Sequence, residues 1–543
     1  MKFTISTDSL TNSGFFNFNT ATGTITGYRA GGPADVVIPR EISGVPVKAI
    51  GDRAFLDSKI TSVVFPTSLE SIGTQAFKGN YLESVSIPNS VVSIGDQAFV
   101  NEYASYKIKN LTLGESVKTI GEQAFCDNGI SSLRIPPSVV SIGKEAFYRN
   151  SLTSVDFPKK LVAGKEVAPD LKSIGERAFA NNSIRTLALP EGLETLGGYA
   201  FSYNSLISLK VPKNIKVVVE GAFNNNQIGS LVLEKGVEKV EANAFSYNSL
   251  TDVSLPSTLT YIGSEAFKNN MITGLSIPNS VVELADEAFS HNKIITISLS
   301  KELTGIPNNA FRDNLISSLT LPDKVKTVGD YAFADNNIST LDLGKLTGMG
   351  EGAFYNNHLG SLTFPDTLTV ISDKAFESNR LTSLTIPKTI TALGDSSFKK
   401  NELASLTLSE SLTEIPNSAF RENKLTSLVI PKKVVKIGSS AFQYNSLSSL
   451  SLSKELVDIL DYAFANNELK TLNVPDRVRN IGNSAFYTNK LTGLTLPDFL
   501  KTIGYEAFMD NELTVVEVDI NTNVANNAFD SNVDVKRVEE VFN

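Results

Sequence analysis

Residues 131–150 read Ser131-Ser132-Leu133-Arg134-Ile135-Pro136-Pro137-Ser138-Val139-Val140-Ser141-Ile142-Gly143-Lys144-Glu145-Ala146-Phe147-Tyr148-Arg149-Asn150, and close variants of this stretch recur along the chain. The marker is a phenylalanine, nearly always preceded by alanine, found in 22 copies from Phe55 to Phe529; successive copies are 22 residues apart except for spacings of 26, 32, 21 and 21. Periodicity of this kind decides the architecture before any local propensity does.

Counting from the phenylalanine, position −5 is Ile, Leu, Val or Met in every copy, often followed by Gly as in Ile142-Gly143. Position +3 is Asn in 20 of 22 copies, Ser58 and Glu102 being the exceptions. Positions +5, +8 and +10 are apolar, as in Leu381, Leu384 and Ile386, and proline commonly follows at +11, as in Pro387. Apolar residues two apart share one face of a strand, and a proline that cannot donate to a ladder ends it. The segment Ile-Gly-x-x-Ala-Phe reads as one helical turn that packs Ala and Phe inward. No unit can bury its apolar face alone, so units must stack. The expected fold is an α/β repeat solenoid of about 22 coils of 22 residues. It has one parallel β-sheet face, short helical turns on the other side, and a length on the order of 100 Å at ~4.8 Å per strand.

The repeat grammar divides the chain into residues 1–44, 45–532 and 533–543. The first segment alternates polar and apolar residues, as in Phe16-Asn17-Phe18 and Ile25-Thr26-Gly27-Tyr28, and reads as a β-hairpin cap over the first coil. The middle segment is the solenoid, and the last is a C-terminal end or truncated cap. Two coils carry insertions, within Glu102-Tyr103-Ala104-Ser105-Tyr106-Lys107 and between Lys159 and Asp170. They are expected as surface loops on opposite edges of the solenoid.

Residues 131–150 match, almost position for position, the unit of the BspA-like bacterial leucine-rich repeats, which this chain resembles over about residues 45–532. The stretch from Gly23 to Val47 also looks like the lead-in of that family. The resemblance implies a leucine-rich repeat arc belonging to an extracellular or cell-surface protein used in adhesion or recognition. The chain departs from many relatives in carrying Asn rather than Cys at +3, and it shows no wall-sorting motif or surface anchor. Its N-terminus has no apolar core of a signal peptide, so export would rest on a segment absent from this sequence or removed.

Composition narrows the remaining classes. The net charge of −9 argues against a nucleic-acid binder, and no apolar run is long enough to span a bilayer. The single cysteine, Cys126, excludes an internal disulfide and a Cys-based metal cluster. His291 and His358, the only histidines, fall about three coils apart and do not read as a pair. Acidic residues before Ala-Phe, such as Asp52, Glu145, Asp286, Glu287 and Asp373, read as helix starts favoured by the dipole. Gly348-Met349-Gly350-Glu351-Gly352 reads as an ordinary coil, not a phosphate loop. The Asn ladder reads as structural, since a side-chain amide offers donors and an acceptor to turn backbone. No cofactor, metal or catalytic constellation is expected, and the chain is expected not to be an enzyme.

One polar stripe invites a functional reading. Position +9 lies between two buried strand positions and must face outward. It reads Ser254, Ser276, Ser298, Thr320, Thr363, Thr385, Thr407, Ser451 and Thr495, with Asp342, Val429 and Asn473 interspersed. The upstream coils instead carry Arg134, Asp156, Ala188, Lys210 and Val232. Hydroxyl ladders suit strand pairing, and they also make a low-charge face for an extended partner. The expected function is non-enzymatic recognition of a host matrix protein or surface polysaccharide through this face, without nucleic acid or membrane insertion. The alternatives are a structural spacer that presents other domains and an ice-binding lattice.

Overall fold

The computed structural model describes residues 10–101 and 106–539, which form two compact units meeting in sequence at Val281 and Val282. Each is a parallel β-solenoid in which a typical coil contributes two short strands. One strand lies at +7 to +9, as in Ser383–Thr385 and Ser405–Thr407, which pair parallel and in register. The other is two residues long and lies at −6 and −5, as in Ser71–Ile72 and Ser93–Ile94, also parallel and in register. The alternation along the first strand follows the sequence pattern: Leu384 and Ile386 are buried, while Ser383 and Thr385 are exposed.

Two expectations need correction. The sheet face is not single, because the −6/−5 strands form a second parallel ladder, and the return segment is not helical. Among the described residues the only helix is a 3-10 turn at Ser13–Phe15. In the return, Ala54 N–H donates to Gly51 C=O at 3.2 Å, Leu56 N–H to Arg53 C=O at 3.1 Å and Ser58 N–H to Phe55 C=O at 3.3 Å. These bonds close three overlapping β-turns, of which Arg53 is the third residue of the first and Asp57 of the last. Arg53 and Asp57 have φ of 56° and 50°, the left-handed conformation that a type II turn needs at its third residue and that interrupts a right-handed helix. The N–H groups of Arg53, Phe55 and Asp57 donate to Thr74, Ala76 and Lys78 in the next coil. An α-helix would keep those bonds within its own segment; here alternate donors are spent locally and between coils.

The core is built from columns. Phe55 and Phe77 stack with ring centroids 4.8 Å apart and planes 12° apart, and Phe420 stacks on Phe398 and Phe442 at 5.6 and 5.5 Å. Beside them runs the Asn ladder. Asn423 Oδ1 accepts from Leu403 N–H of the previous coil at 3.0 Å, while its Nδ2 donates to the carbonyls of Phe398 and Phe420 at 3.0 and 3.1 Å. The same pattern recurs at Asn80, Asn204 and Asn489.

At the first coil, Phe16–Asn19 pairs antiparallel with Thr24–Tyr28, whose Thr24 and Ile25 pair parallel with Ala49 and Ile50. Tyr28 stacks on Phe55 at 4.9 Å. The insertion after Pro158 is an exposed hairpin of Lys160–Val162 with Lys165–Val167. Ala163 and Gly164, with φ of 49° and 75°, close it as the two-residue turn that matches strand twist. Residues 102–105 of the earlier insertion lie outside the described residues, as do 1–9 of the first segment and 540–543 of the last.

Candidate interaction surface

Every stripe residue is exposed: Ser254 and Ser276 in the first unit, and Ser298, Thr320, Thr363, Thr385, Thr407, Ser451 and Thr495 in the second. In-register pairing sets the hydroxyls of Thr385 and Thr407 opposite each other, and the Asn473 amide opposite the Thr495 hydroxyl. Thr363 stands apart, since Ser361–Phe364 form no strand after the 21-residue coil between Phe333 and Phe354. Val429, opposite Ser451, is the stripe's apolar interruption and is 69% exposed. A shallow depression on this face is lined by Ile295, Thr296, Ser298, Lys301, Ser318 and Thr320.

Charged residues at +12 and +13 border the stripe. Lys324 pairs with Glu302, Lys345 with Asp323 at 3.1 Å, and Arg477 with Glu455. Between these pairs a second depression is lined by Lys388, Lys432, Lys433, Lys454, Glu410 and Val429. Ser411 Oγ donates to the Lys388 carbonyl at 2.8 Å and Ser453 Oγ to the Lys432 carbonyl at 2.9 Å, fixing the backbone that carries these lysines. The sequence reading missed this edge because it followed strand positions alone; the signal available was the succession Lys388, Glu410, Lys432-Lys433 and Lys454 at equivalent positions.

The other candidate groups have structural partners. His291 Nδ1 lies 2.7 Å from an Asp313 carboxylate oxygen. His358 lines the same shallow groove, and desolvation holds its pKa below the usual histidine range. The two histidines thus border one groove, which their sequence separation did not suggest. Arg312 and Asn356 both donate to Asp335 there, at 3.2 and 2.8 Å. Among the described residues, no group of three or more His, Cys, Asp or Glu side chains is placed to hold a metal ion. Cys126 is buried, and burial first, then the Asp127 charge, pushes its thiol pKa up to about 12.

The acidic residues at −3 have a different cause from the one expected, since there is no helix for them to start; Glu145, at −2, instead accepts from Gln123 Nε2 at 2.6 Å. Asp52 Oδ1 accepts from Thr74 N–H at 2.8 Å, and Asp373 and Asp461 accept equivalently from Asp395 and Asn483 at 2.7 Å. These carboxylates therefore cap the next coil. Gly348–Met349 is an ordinary rung of the two-residue ladder. Among the described residues no helix is long and apolar enough to cross a membrane.

Comparison with known proteins gives a match to the BspA type leucine-rich repeat region, in six copies, over residues 48–166, 164–273, 238–358, 344–446 and 413–536. Among solved structures, the chain is similar to a leucine-rich repeat protein from Bacteroides ovatus, at 20% identity over 75% of this chain and 92% of that one, with a TM-score of 0.41. It is also similar to YopM from Yersinia enterocolitica, at 18% identity over 90% and 91% of the two chains, with a TM-score of 0.35. A leucine-rich cell surface protein from Faecalibacterium prausnitzii is 17% identical over 87% and 91%, with a TM-score of 0.28. No curated protein matches the sequence.

Proposed function

The chain belongs to the BspA-type leucine-rich repeat family, and from that premise we propose that it is a non-enzymatic recognition module, extracellular or on the cell surface, binding a host matrix protein or surface polysaccharide through its strand face. The observation that carries this reading is the exposed hydroxyl stripe of the second unit, where Thr385, Thr407 and Ser451 stand on in-register ladders. Rigid strands hold the hydroxyls at a fixed spacing of roughly 5 Å per coil. Each hydroxyl donates and accepts, which suits an extended partner rich in carbonyl, amide or hydroxyl groups.

The test replaces Thr385, Thr407 and Ser451 by Glu. The control changes net charge equally away from the stripe, with Arg380→Gln, Lys424→Gln and Lys490→Gln, all exposed residues at +4. Both variants and the parent are screened against extracellular-matrix proteins and glycan arrays after circular dichroism confirms folding. Binding lost only in the stripe variant supports the reading. Equal loss in both variants assigns binding to general electrostatics, and no binding by the parent protein favours the spacer.

A further inference from the structure

Resting on that reading, we propose that the edge of the strand face around Val429 docks an extended acidic protein segment whose carboxylates meet Lys388, Lys432, Lys433 and Lys454 while an apolar side chain covers Val429. All four lysines are exposed and line one depression with Val429. Further along the same edge, coil-to-coil ion pairs join Lys324 with Glu302, Lys345 with Asp323 and Arg477 with Glu455, while the coils next to the depression carry Asp366 and Asp476 at +12. None of the four lysines has such a partner among the described residues. Of the two carboxylates on the rim, Glu455 is held by Arg477, leaving Glu410 against four ammonium groups. This concentration of positive charge is opposite in sign to the net charge of −9, so it favours anionic partners locally.

The ligand class follows from what surrounds the charges. Val429 presents a branched apolar side chain, 69% exposed, where neighbouring coils present hydroxyls. A polyanionic sugar gains nothing by covering it, whereas a peptide side chain does. Lys388 and Lys454 are three coils apart, roughly 15 Å at ~4.8 Å per coil, which an extended chain at ~3.3 Å per residue covers in about four or five residues. Acidic residues about three apart, with an apolar residue between them, fit that spacing.

The full chain is titrated against a fluorescein-labelled peptide Glu-Gly-Val-Glu-Gly-Val-Glu, the same peptide with Val replaced by Gly, and a hyaluronan oligosaccharide, using fluorescence anisotropy or displacement. The expected result is preferential binding of the valine peptide, weakening with salt as screening shortens. Lys432→Gln with Lys454→Gln should weaken it about three- to tenfold, the range for two partly exposed ion pairs. Val429→Ser should remove the preference for valine over glycine. No binding, or binding insensitive to the lysine pair, overturns the proposal. Equal binding of all three probes with no effect of Val429→Ser also overturns it, in favour of a general polyanion surface. If a matrix protein is lost by the Thr385, Thr407 and Ser451 variant but retained by the lysine variant, docking at this edge fails while strand-face recognition stands. The reverse pattern removes the stripe reading and keeps the edge.

Discussion

Gly352 lies directly against the ring of Tyr331 in the preceding coil, and the Tyr331 hydroxyl donates to Glu351 at 2.6 Å. A Cβ added at Gly352 would overlap the ring, and the residue has a φ of 57°. The same arrangement joins Tyr199 to Gly221, with the Tyr199 hydroxyl 2.6 Å from Glu220. At these two rungs the tyrosine at −2 claims the space over −2 of the next coil. Gly352→Ala should destabilise by about 1–3 kcal/mol, combining left-handed strain with displacement of the ring. In a Tyr331→Ser background the overlap is gone and about 1 kcal/mol of backbone cost should remain. Urea denaturation of the double-mutant cycle checks this, and strict additivity would show that the ring exerts no constraint.

Asn423 has a similarly specific role. Removing its side chain by Asn423→Ala leaves the Leu403 N–H without its amide partner. It also takes one of two amide donors from the Phe398 carbonyl, which keeps Asn401 at 3.2 Å, and from the Phe420 carbonyl, which keeps Asn445 at 3.0 Å. At ~1–3 kcal/mol for one orphaned buried donor, a loss of about 1–3 kcal/mol is expected. Asn423→Asp should be worse at neutral pH, since a carboxylate cannot donate and places its charge beside carbonyl oxygens. Its folded pKa would be raised, so the variant's stability should be greatest below the unfolded aspartate pKa and fall as pH rises through the folded one. An aspartate variant as stable as the parent at pH 7 would show that the amide donors contribute nothing.

The fold was legible where chemistry was simple. Alternation buried Leu384 and exposed Thr385, and the Asn recurrence marked a backbone-satisfying ladder, because both patterns report only an inside and an outside. The helical reading of Gly51-Asp52-Arg53-Ala54-Phe55 failed because its apolar pair fits a helical turn and overlapping β-turns equally well. The discriminating signal was conformational: positions −2 and +2 carry no Val or Ile in any copy, and Thr488 is the lone β-branched residue there. Those columns hold positive φ at Gln75, Glu145, Tyr203 and Asn269, a region that β-branched side chains avoid. The lysine edge was hidden for another reason. Its lysines recur in the sequence at +12 and +13, outside the strand positions, and only the packed chain shows that they lack coil-to-coil partners among the described residues.

Stability should be local. Phe420 is fully buried between Phe398 and Phe442, and Phe420→Ala should cost about 3–5 kcal/mol through lost burial and a cavity. In a solenoid each coil contacts mainly its neighbours. Amide exchange should therefore accelerate chiefly between about residues 398 and 464, with smaller effects further along the second unit. Uniform acceleration throughout that unit would mean that it opens as one cooperative block.

Cys126 provides a chemical readout of the packed state. Its Sγ lies 3.4 Å from Asp127 Oδ2, and the thiol pKa stands at about 12 because burial and then the neighbouring carboxylate oppose the thiolate. At pH 8 the native thiolate fraction is about one in ten thousand, so iodoacetamide should alkylate the folded protein on the order of a thousandfold more slowly than a free thiol of pKa ~8.5. The same shift ties stability to pH. Below the unfolded thiol pKa both states hold the proton and the full contribution is present. Between about pH 9 and 12 the unfolded chain releases the proton first, so stability falls as pH rises through that window. Cys126→Ala removes this term while retaining the titration of every lysine and tyrosine. The difference in Tm between parent and variant should therefore shift against the parent as pH increases from 8 to 11. Rapid alkylation of the folded protein at pH 8, at the rate of a model thiol, would mean that the side chain samples solvent and that burial does not set its pKa.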